Sequence, residues 1–309
     1  NFLEAEPSTI GQIGGGKDRR SGFIDVAMLQ SLIKKGQVEN LVTEYGQVIV
    51  DECHHLPAVT FEQILRRAKS RYVLGLTATP YRRDGHHPII FMQCGPVRHV
   101  ISQKDQKSQR LLQHRLICRD TNFTLPSQES ELSIHDIYAL LVKDEARNKL
   151  ILDDLCQVLE EGRSPILLTE RRDHLEYFAD ILKTMFNVVV LRGGMGNRQR
   201  RAIVEQLAAI PANSKRVLLA TGRYIGEGFD DARLDTLLLS LPVSWKGTLV
   251  QYAGRLHRLH TGKTEVRIYD YVDRNCPTLM RMYQRRLRGY RTIGYKPDNL
   301  DISLEKHRS

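Results

Sequence analysis

An α/β architecture of two lobes, each a mostly parallel sheet flanked by helices, is predicted by three features of the 309-residue sequence. Short β-branched runs recur, each followed by a polar corner and then a segment of helical period, which is the grammar of strands joined by helical crossovers. The runs are almost wholly apolar, as expected of strands covered on both faces rather than on one. With 41% hydrophobic residues at this length, the chain can bury more core than a single open α/β domain needs.

The runs fall at 47–50, 72–77, 165–168, 188–191, 216–220, 234–239 and 266–272, and the helical segments at 59–69, 135–161, 172–185, 198–207 and 248–255. Between 96 and 130 the pattern loosens into polar stretches, and the junction between lobes is placed there. The expected organisation is a partial first lobe over 1–96, a connecting segment over 97–130, a second lobe over 131–275 and a basic helical tail over 276–309.

Lys and Arg total 46 against 36 Asp and Glu, a formal net charge of +10, which suits a polyanionic partner without specifying one. Five cysteines, Cys53, Cys94, Cys118, Cys156 and Cys276, include no C-x-x-C pair, so neither a disulfide framework nor a zinc module is indicated. The expected compartment is reducing and intracellular, cytoplasmic or nucleoid-associated. No apolar run approaches the ~18 to 20 residues of a membrane helix, so no membrane partner is expected.

Two strand ends carry the first chemistry. The run 47–50 leads directly into Asp51-Glu52-Cys53-His54, placing two carboxylates at the carboxyl edge of a buried strand, where open α/β sheets bind ligands. One such acid can hold Mg²⁺ through its water shell while its neighbour orients an attacking water. The next run ends in Thr77-Ala78-Thr79-Pro80 at the same edge. In the second half, Gln251-Tyr252-Ala253-Gly254-Arg255-Leu256-His257-Arg258 sets Gln251, Arg255 and Arg258 at i, i+4 and i+7, one face of a helix. Guanidinium groups of this kind stabilise charge spread over transferring phosphoryl oxygens, and lysine lacks the planar fork.

These segments resemble, in order, the D-E-x-H, T-A-T-P and Q-x-x-G-R-x-x-R motifs of superfamily 2 helicases and translocases, closest in detail to the branch of XPB-like proteins and the motor subunits of type I and III restriction enzymes. Ala220-Thr221-Gly222 with Gly226-Glu227-Gly228-Phe229-Asp230 is similar to the fifth motif, 165–169 to the fourth, and Leu191-Arg192-Gly193-Gly194 with Arg200 to the strand end and helix between them. The resemblance runs over about 10–272 and implies two RecA-like lobes, the first incomplete, with ATP and Mg²⁺ as cofactors. It further implies that Asp51 serves Mg²⁺ through water, Glu52 the attacking water, and His54, Gln251, Arg255 and Arg258 the reaction; that Thr77 and Thr79 couple hydrolysis to lobe movement; that Gly228 and Asp230 face the nucleotide; and that Thr221 touches the nucleic-acid backbone.

Gly11-Gln12-Ile13-Gly14-Gly15-Gly16-Lys17 fits G-x-x-x-x-G-K, yet Asp18 stands where a phosphate-binding loop needs a hydroxyl, and a strand, 22–27, follows where a helix should begin. Its expected role is a glycine-bearing turn in which Gly15, Gly16 and Lys17 meet nucleic-acid phosphates, with a plain surface loop as the alternative. By the resemblance, the true P-loop and any fused or associated domains belong upstream of Asn1, and the chain alone is expected to bind ATP poorly and hydrolyse none. The expected partner is nucleic acid, DNA ahead of RNA. The competing reading is a catalytically silent nucleic-acid-binding or regulatory module of helicase shape, against which stand Asp51, Glu52, Arg255 and Arg258. In the tail, Arg285, Arg286, Arg288 and Arg291 interleaved with Tyr283 and Tyr290 suit either phosphate and base contacts or a helix packed by its tyrosines.

Overall fold

A computed structural model describes residues 5–34, 36–53, 58–77, 87–100, 112–126, 132–211, 214–222, 231–243 and 246–298. The chain divides into two compact units, Asn1–Ile101 and Ser102–Ser309.

In the first unit, β1 (Ile10–Gly14) is flanked by antiparallel β2 (Lys17–Arg19) and parallel β3 (Ile24–Ala27). Strands β4 (Ile33–Lys34) and β5 (Gln37–Val38) form a small antiparallel ribbon. Strand β6 (Gln47–Val50) then leads towards helix α1 (Ala58–Arg67), and β7 (Tyr72–Gly75) returns parallel to β6, in register Gln47 with Tyr72 through Val50 with Gly75. Helix α2 (His87–Cys94) follows. Ile13, Leu41, Val42 and Ile64 form the buried cluster that joins β1 to α1.

The G-x-x-x-x-G-K segment is a β-hairpin. Gly15 and Gly16 occupy both corner positions at φ +61° and +79°, a two-residue turn that L-residues with side chains adopt poorly. Gly11 has a packing reason: a Cβ there would lie 1.8 Å from Asp25 Oδ1 and 2.6 Å from the Arg19 carbonyl. The segment's glycines serve a hairpin and a close strand approach, and a strand, β2, starts at Lys17 where a phosphate-binding loop would start a helix.

The second unit is a seven-stranded, all-parallel sheet in the order β10-β11-β9-β12-β13-β8-β14. Its strands are β8 (Gln113–Asp120), β9 (Pro165–Thr169), β10 (Asn187–Leu191), β11 (Arg216–Thr221), β12 (Thr236–Leu239), β13 (Glu265–Val272) and β14 (Lys296–Pro297). Six helices belong to it among the described residues: α3 (Ile134–Lys143), α4 (Glu145–Glu160), α5 (Arg172–Leu182), α6 (Asn197–Ala209), α7 (Lys246–Leu256) and α8 (Pro277–Thr292). Alternate residues of each strand face opposite layers. Ile166, Leu168, Leu218, Ala220, Leu237 and Leu239 pack with Ile203 of α6, Leu249, Tyr252 and Leu256 of α7 and Tyr290 of α8. Leu167, Val217, Leu219 and Leu238 pack with Ile151, Leu155 and Val158 of α4 and Leu175, Phe178 and Leu182 of α5. The apolar runs 165–168, 216–220, 234–239 and 266–272 therefore supply interior strands of a sheet covered on both faces, whereas 47–50 and 72–77 pair only with each other among the described residues and leave Ile49, Tyr72 and Leu74 exposed.

Three details depart from the sequence pattern. Strand β8 lies inside the stretch read as a connecting segment; as a next-to-edge strand with mostly half-buried side chains it does not need an apolar run. The single helical segment 135–161 is two helices, because Asp144 leaves the helical region (φ −74°, ψ 102°) and caps α4 by accepting the Arg147 N–H at 2.7 Å. The tail helix α8 packs into the unit: Arg286 makes two bonds to buried Asp270 (2.7 and 2.8 Å), the Tyr290 hydroxyl donates to the same carboxylate at 2.7 Å, and Tyr283 is buried, leaving Arg285, Arg288 and Arg291 exposed. Among the described residues no helix is long and apolar enough to cross a membrane.

At the start of α5, the fully buried His174 ring lies 3.2 Å from Thr169 Oγ1 and 2.9 Å from Asn148 Oδ1. Burial, then the Arg147 charge, pull its pKa down from 6.5 to about 3. The unfolded chain therefore binds the proton first, and stability present above pH 6.5 is lost as pH falls towards 3. We expect His174 to cost about 3 kcal/mol between pH 7 and 4.5. Urea unfolding at the two pH values should give a drop smaller by about that amount in His174→Gln; equal drops in both proteins would remove this role from the ring.

Candidate functional site

In the first unit the two acids occupy a defined irregularity at a sheet edge. The Leu76 N–H donates to the Val50 carbonyl (2.9 Å), and the Leu76 carbonyl accepts from the Cys53 N–H (3.0 Å). A regular parallel ladder would bring the Glu52 N–H to the Leu76 carbonyl; here the Cys53 N–H takes its place, so Asp51 and Glu52 together oppose the single residue Leu76, a one-residue bulge. The bulge is closed by Glu52 at φ +47°, the one non-glycine residue with positive φ among the described residues. That conformation costs roughly 1–2 kcal/mol and needs surrounding structure to hold it. Cys53, 2% exposed, supplies the anchor. Asp51 is exposed, and its Oδ1 accepts the Glu52 N–H at 2.9 Å. Thr77, the residue after Leu76, lies at the same edge. His54 and Thr79 lie outside the described residues.

A lone exposed carboxylate at a strand end fits Mg²⁺, which retains most of its water and takes one or two protein carboxylates together with phosphate oxygens. Among the described residues no group of three or more His, Cys, Asp or Glu is arranged to chelate a metal by protein alone.

In the second unit the motif-bearing strand ends converge on one edge of the sheet. Thr169 pairs with Thr221 at the ends of β9 and β11, and Leu191 with Ala220 at the end of β10. The Thr221 hydroxyl accepts the Gly193 N–H at 3.0 Å, tying the end of β11 to the Arg192-Gly193-Gly194 corner. Beside that corner is an open cavity of about 430 Å³ lined by Arg172, Arg192, Gly193, Gly194 and Gln199 among others. Next to Thr221, Gly222 has no room for a side chain: a Cβ would lie 2.2 Å from Tyr252 Oη and 2.4 Å from Glu170 Oε1. The contact brings the ends of β9 and β11 against α7, the helix that carries Arg255. Gly228 and Asp230 lie outside the described residues.

Helix α7 contains Gln251 and has Arg255 in its last turn, but it ends at Leu256. Arg258 therefore lies beyond the helix, and the one-face arrangement at i, i+4 and i+7 stops at Arg255. The His257 N–H turns back to the Gly254 carbonyl at 3.3 Å. The Lys263 ammonium donates to the carbonyls of Arg258 (2.8 Å) and Ala232 (2.9 Å), tying the turn after α7 to the turn before β12. Burial pulls the Lys263 amine down to about 8. Sequence reasoning missed Glu170, Tyr252, His257 and Lys263, because each acquires its place from a contact distant in the chain. In the first unit, Gly15, Gly16 and Lys17 are exposed on the β1–β2 hairpin.

Residues 1–82 match the family model described as type III restriction enzyme, res subunit, and residues 150–260 match the helicase conserved C-terminal domain. The chain belongs to superfamily 2 of the helicases and translocases. It is 24% identical over 277 residues to L396 of Acanthamoeba polyphaga mimivirus, named a candidate ATP-dependent RNA helicase; the match covers 84% of this chain and 50% of L396. Over a shorter stretch of 96 residues it is 38% identical to the DNA 3'-5' translocase XPB2 of Sulfurisphaera tokodaii, 31% of this chain and 20% of that one. A solved structure with the same fold is the ATP-dependent type ISP restriction-modification enzyme LlaBIII bound to DNA, with a TM-score of 0.59 at 14% identity, covering 87% of this chain and 21% of LlaBIII. The superfamily 2 chain thus spans about half the length of the viral relative L396. Its α/β units, the second built on a parallel sheet between helical layers, are those of the helicase fold.

Proposed function

We propose that this chain is the ATP-hydrolysing motor part of a DNA translocase or helicase, in which the bulged Asp51–Glu52 pair and the Arg255–Arg258 turn act on one triphosphate. The observation that carries the proposal is the backbone of the acidic pair: a strained Glu52 and a bulge that sets Asp51 and Glu52 against one residue of the neighbouring strand are features a solvated strand end has no need of. In this reading Glu52 orients the attacking water and takes its proton. Gln251 positions that water or the terminal phosphate, and Arg255 and Arg258 meet the charge that develops on the transferring group. Asp51 would hold Mg²⁺ through water, and the ion supplies neutralisation of phosphate charge.

The remaining assignments extend from the same reading. Thr77 and Thr79 link the hydrolysis site to movement of the units, with Gly228 and Asp230 against the nucleotide. Thr221 and the Gly15-Gly16-Lys17 hairpin take phosphates of the nucleic-acid backbone. DNA is the proposed track because the T-A-T-P segment and the glycine-rich hairpin resemble DNA-directed relatives and XPB2 is named a DNA translocase, although L396 is named for RNA. The hairpin conformation of the G-x-x-x-x-G-K segment leaves the described residues without a loop that cradles a triphosphate, so chain 1–309 by itself is proposed to be inactive.

The test is phosphate release by the full-length protein with duplex DNA, single-stranded DNA or RNA, together with gels that follow the polymer. DNA-stimulated release with the polymer intact is the expected result. Stimulation by RNA alone would overturn the choice of track, cleavage of the polymer would indicate a nuclease, and release that no nucleic acid stimulates would remove the motor reading.

A further inference from the structure

Arg258 lies past the end of α7, so helix geometry does not fix where its side chain starts. Two sets of contacts converge on that turn instead. On the main-chain side, Lys263 Nζ holds the Arg258 carbonyl at 2.8 Å and joins it to the Ala232 carbonyl at 2.9 Å, immediately after the segment that carries the fifth motif. On the side-chain side, the ring of His257, the residue between Leu256 and Arg258, packs almost parallel to His114 of β8, with ring centres 4.6 Å apart and planes 10° apart. His114 also stacks on Tyr295, 4.8 Å and 11° away, and the Tyr295 hydroxyl is within hydrogen-bond distance of His257 Nε2 at 3.1 Å. Tyr295 is completely buried and leads into β14, which pairs with β8.

The anchor for the arginine turn is therefore built from parts well outside the arginine motif: a next-to-edge strand, a lysine five residues further on and the chain after the last helix. We propose that Lys263 and the His114–His257–Tyr295 stack are positioning residues for Arg255 and Arg258, fixing the turn through its main chain on one side and its side chain on the other. The inference rests on the reading of those arginines as the groups that meet the transferring phosphate. A charge-assisted bond to a backbone carbonyl and a ring clamped on two sides restrict where a long side chain begins. Misplacement of a catalytic group by as little as ~1 Å can cost about a hundredfold in rate. Neither Lys263 nor Tyr295 is assigned to touch ATP, so their loss should affect turnover rather than substrate binding.

The experiment uses the full-length protein with Lys263→Met, Lys263→Arg and Tyr295→Phe. For each, hydrogen–deuterium exchange across 254–260 is followed, and kcat and KM for ATP are measured at saturating DNA. Lys263→Met is expected to speed exchange in that segment and lower kcat about 10- to 100-fold, with KM within about twofold. Lys263→Arg, which keeps a cation with several donors, should recover part of kcat. Tyr295→Phe, which removes one oxygen from a buried ring, should lower kcat about threefold and serves alone if Lys263→Met does not fold. Faster exchange with unchanged kcat, or a rise in KM with kcat untouched, would overturn the positioning role. Exchange that is the same in every variant would overturn the anchor whether or not the protein is an ATPase, whereas a wild-type protein without DNA-stimulated turnover would overturn the functional reading instead.

Discussion

Replacing Glu52 by Gln in the full-length protein is expected to lower DNA-stimulated ATP hydrolysis by about 10²- to 10⁴-fold, the range for losing a positioned general base. The substitution keeps the size and one acceptor oxygen of the side chain and removes its charge and its ability to take a proton. Because Glu52 sits at φ +47° in a bulge held by Cys53 and Leu76, Gln can occupy the same backbone, and global stability should change little. ATP and DNA binding should persist, so nucleotide-dependent retention on DNA should be unimpaired or prolonged. Steady-state phosphate release with filter-binding in parallel checks both halves. Turnover within about threefold of wild type would place the base elsewhere.

The second large effect is expected at the arginine turn. Arg255→Ala or Arg258→Ala should each lower kcat by about 10³- to 10⁵-fold, as for guanidinium groups that meet the transition state of phosphoryl transfer. Lysine at either position should recover little, because it presents a point charge without the planar fork. Arg255 sits in the last turn of α7 and Arg258 beyond it, so in the proposed site the two would reach the phosphate from differently constrained backbones. Lysine is therefore expected to be worse tolerated at Arg255, whose Cα the helix fixes. Rapid-quench measurement of a single turnover separates this effect from product release; an unchanged chemical step in both alanine variants would remove the arginines from the reaction.

How legible each feature was follows from the kind of contact that sets it. Central strands β9, β11 and β12 announce themselves because both faces are buried, which forces runs such as Pro165-Ile166-Leu167-Leu168. Strand β8 does not, since His114 and Arg115 are half-buried beside a short outer strand and polar residues fit there. The break at Asp144 is a cap inside an unbroken amphipathic period, and only the backbone reveals it.

In the site, motif spacing named the acids and arginines and their order along the chain. It did not disclose that Asp51 and Glu52 form a bulge opposite Leu76, because that depends on which carbonyl Cys53 meets. The expected helical face through Arg258 failed at the final position, where the helix gives way to a turn held by Lys263 and His257. The contact of Gly222 with Glu170 and Tyr252 joins three strand and helix ends that sequence places far apart. For the tail, both alternatives were open from composition, and the burial of Tyr283, Arg286 and Tyr290 resolves those three residues as packing.

The most direct test of a shared triphosphate is a double-mutant cycle on the single-turnover rate, combining Glu52→Gln with Arg255→Ala in the full-length protein. Groups that serve one transition state are strongly non-additive, so the double variant should be about as slow as the slower single variant. Rate losses that simply multiply would mean that the acids of the first unit and the arginines of the second act on separate events.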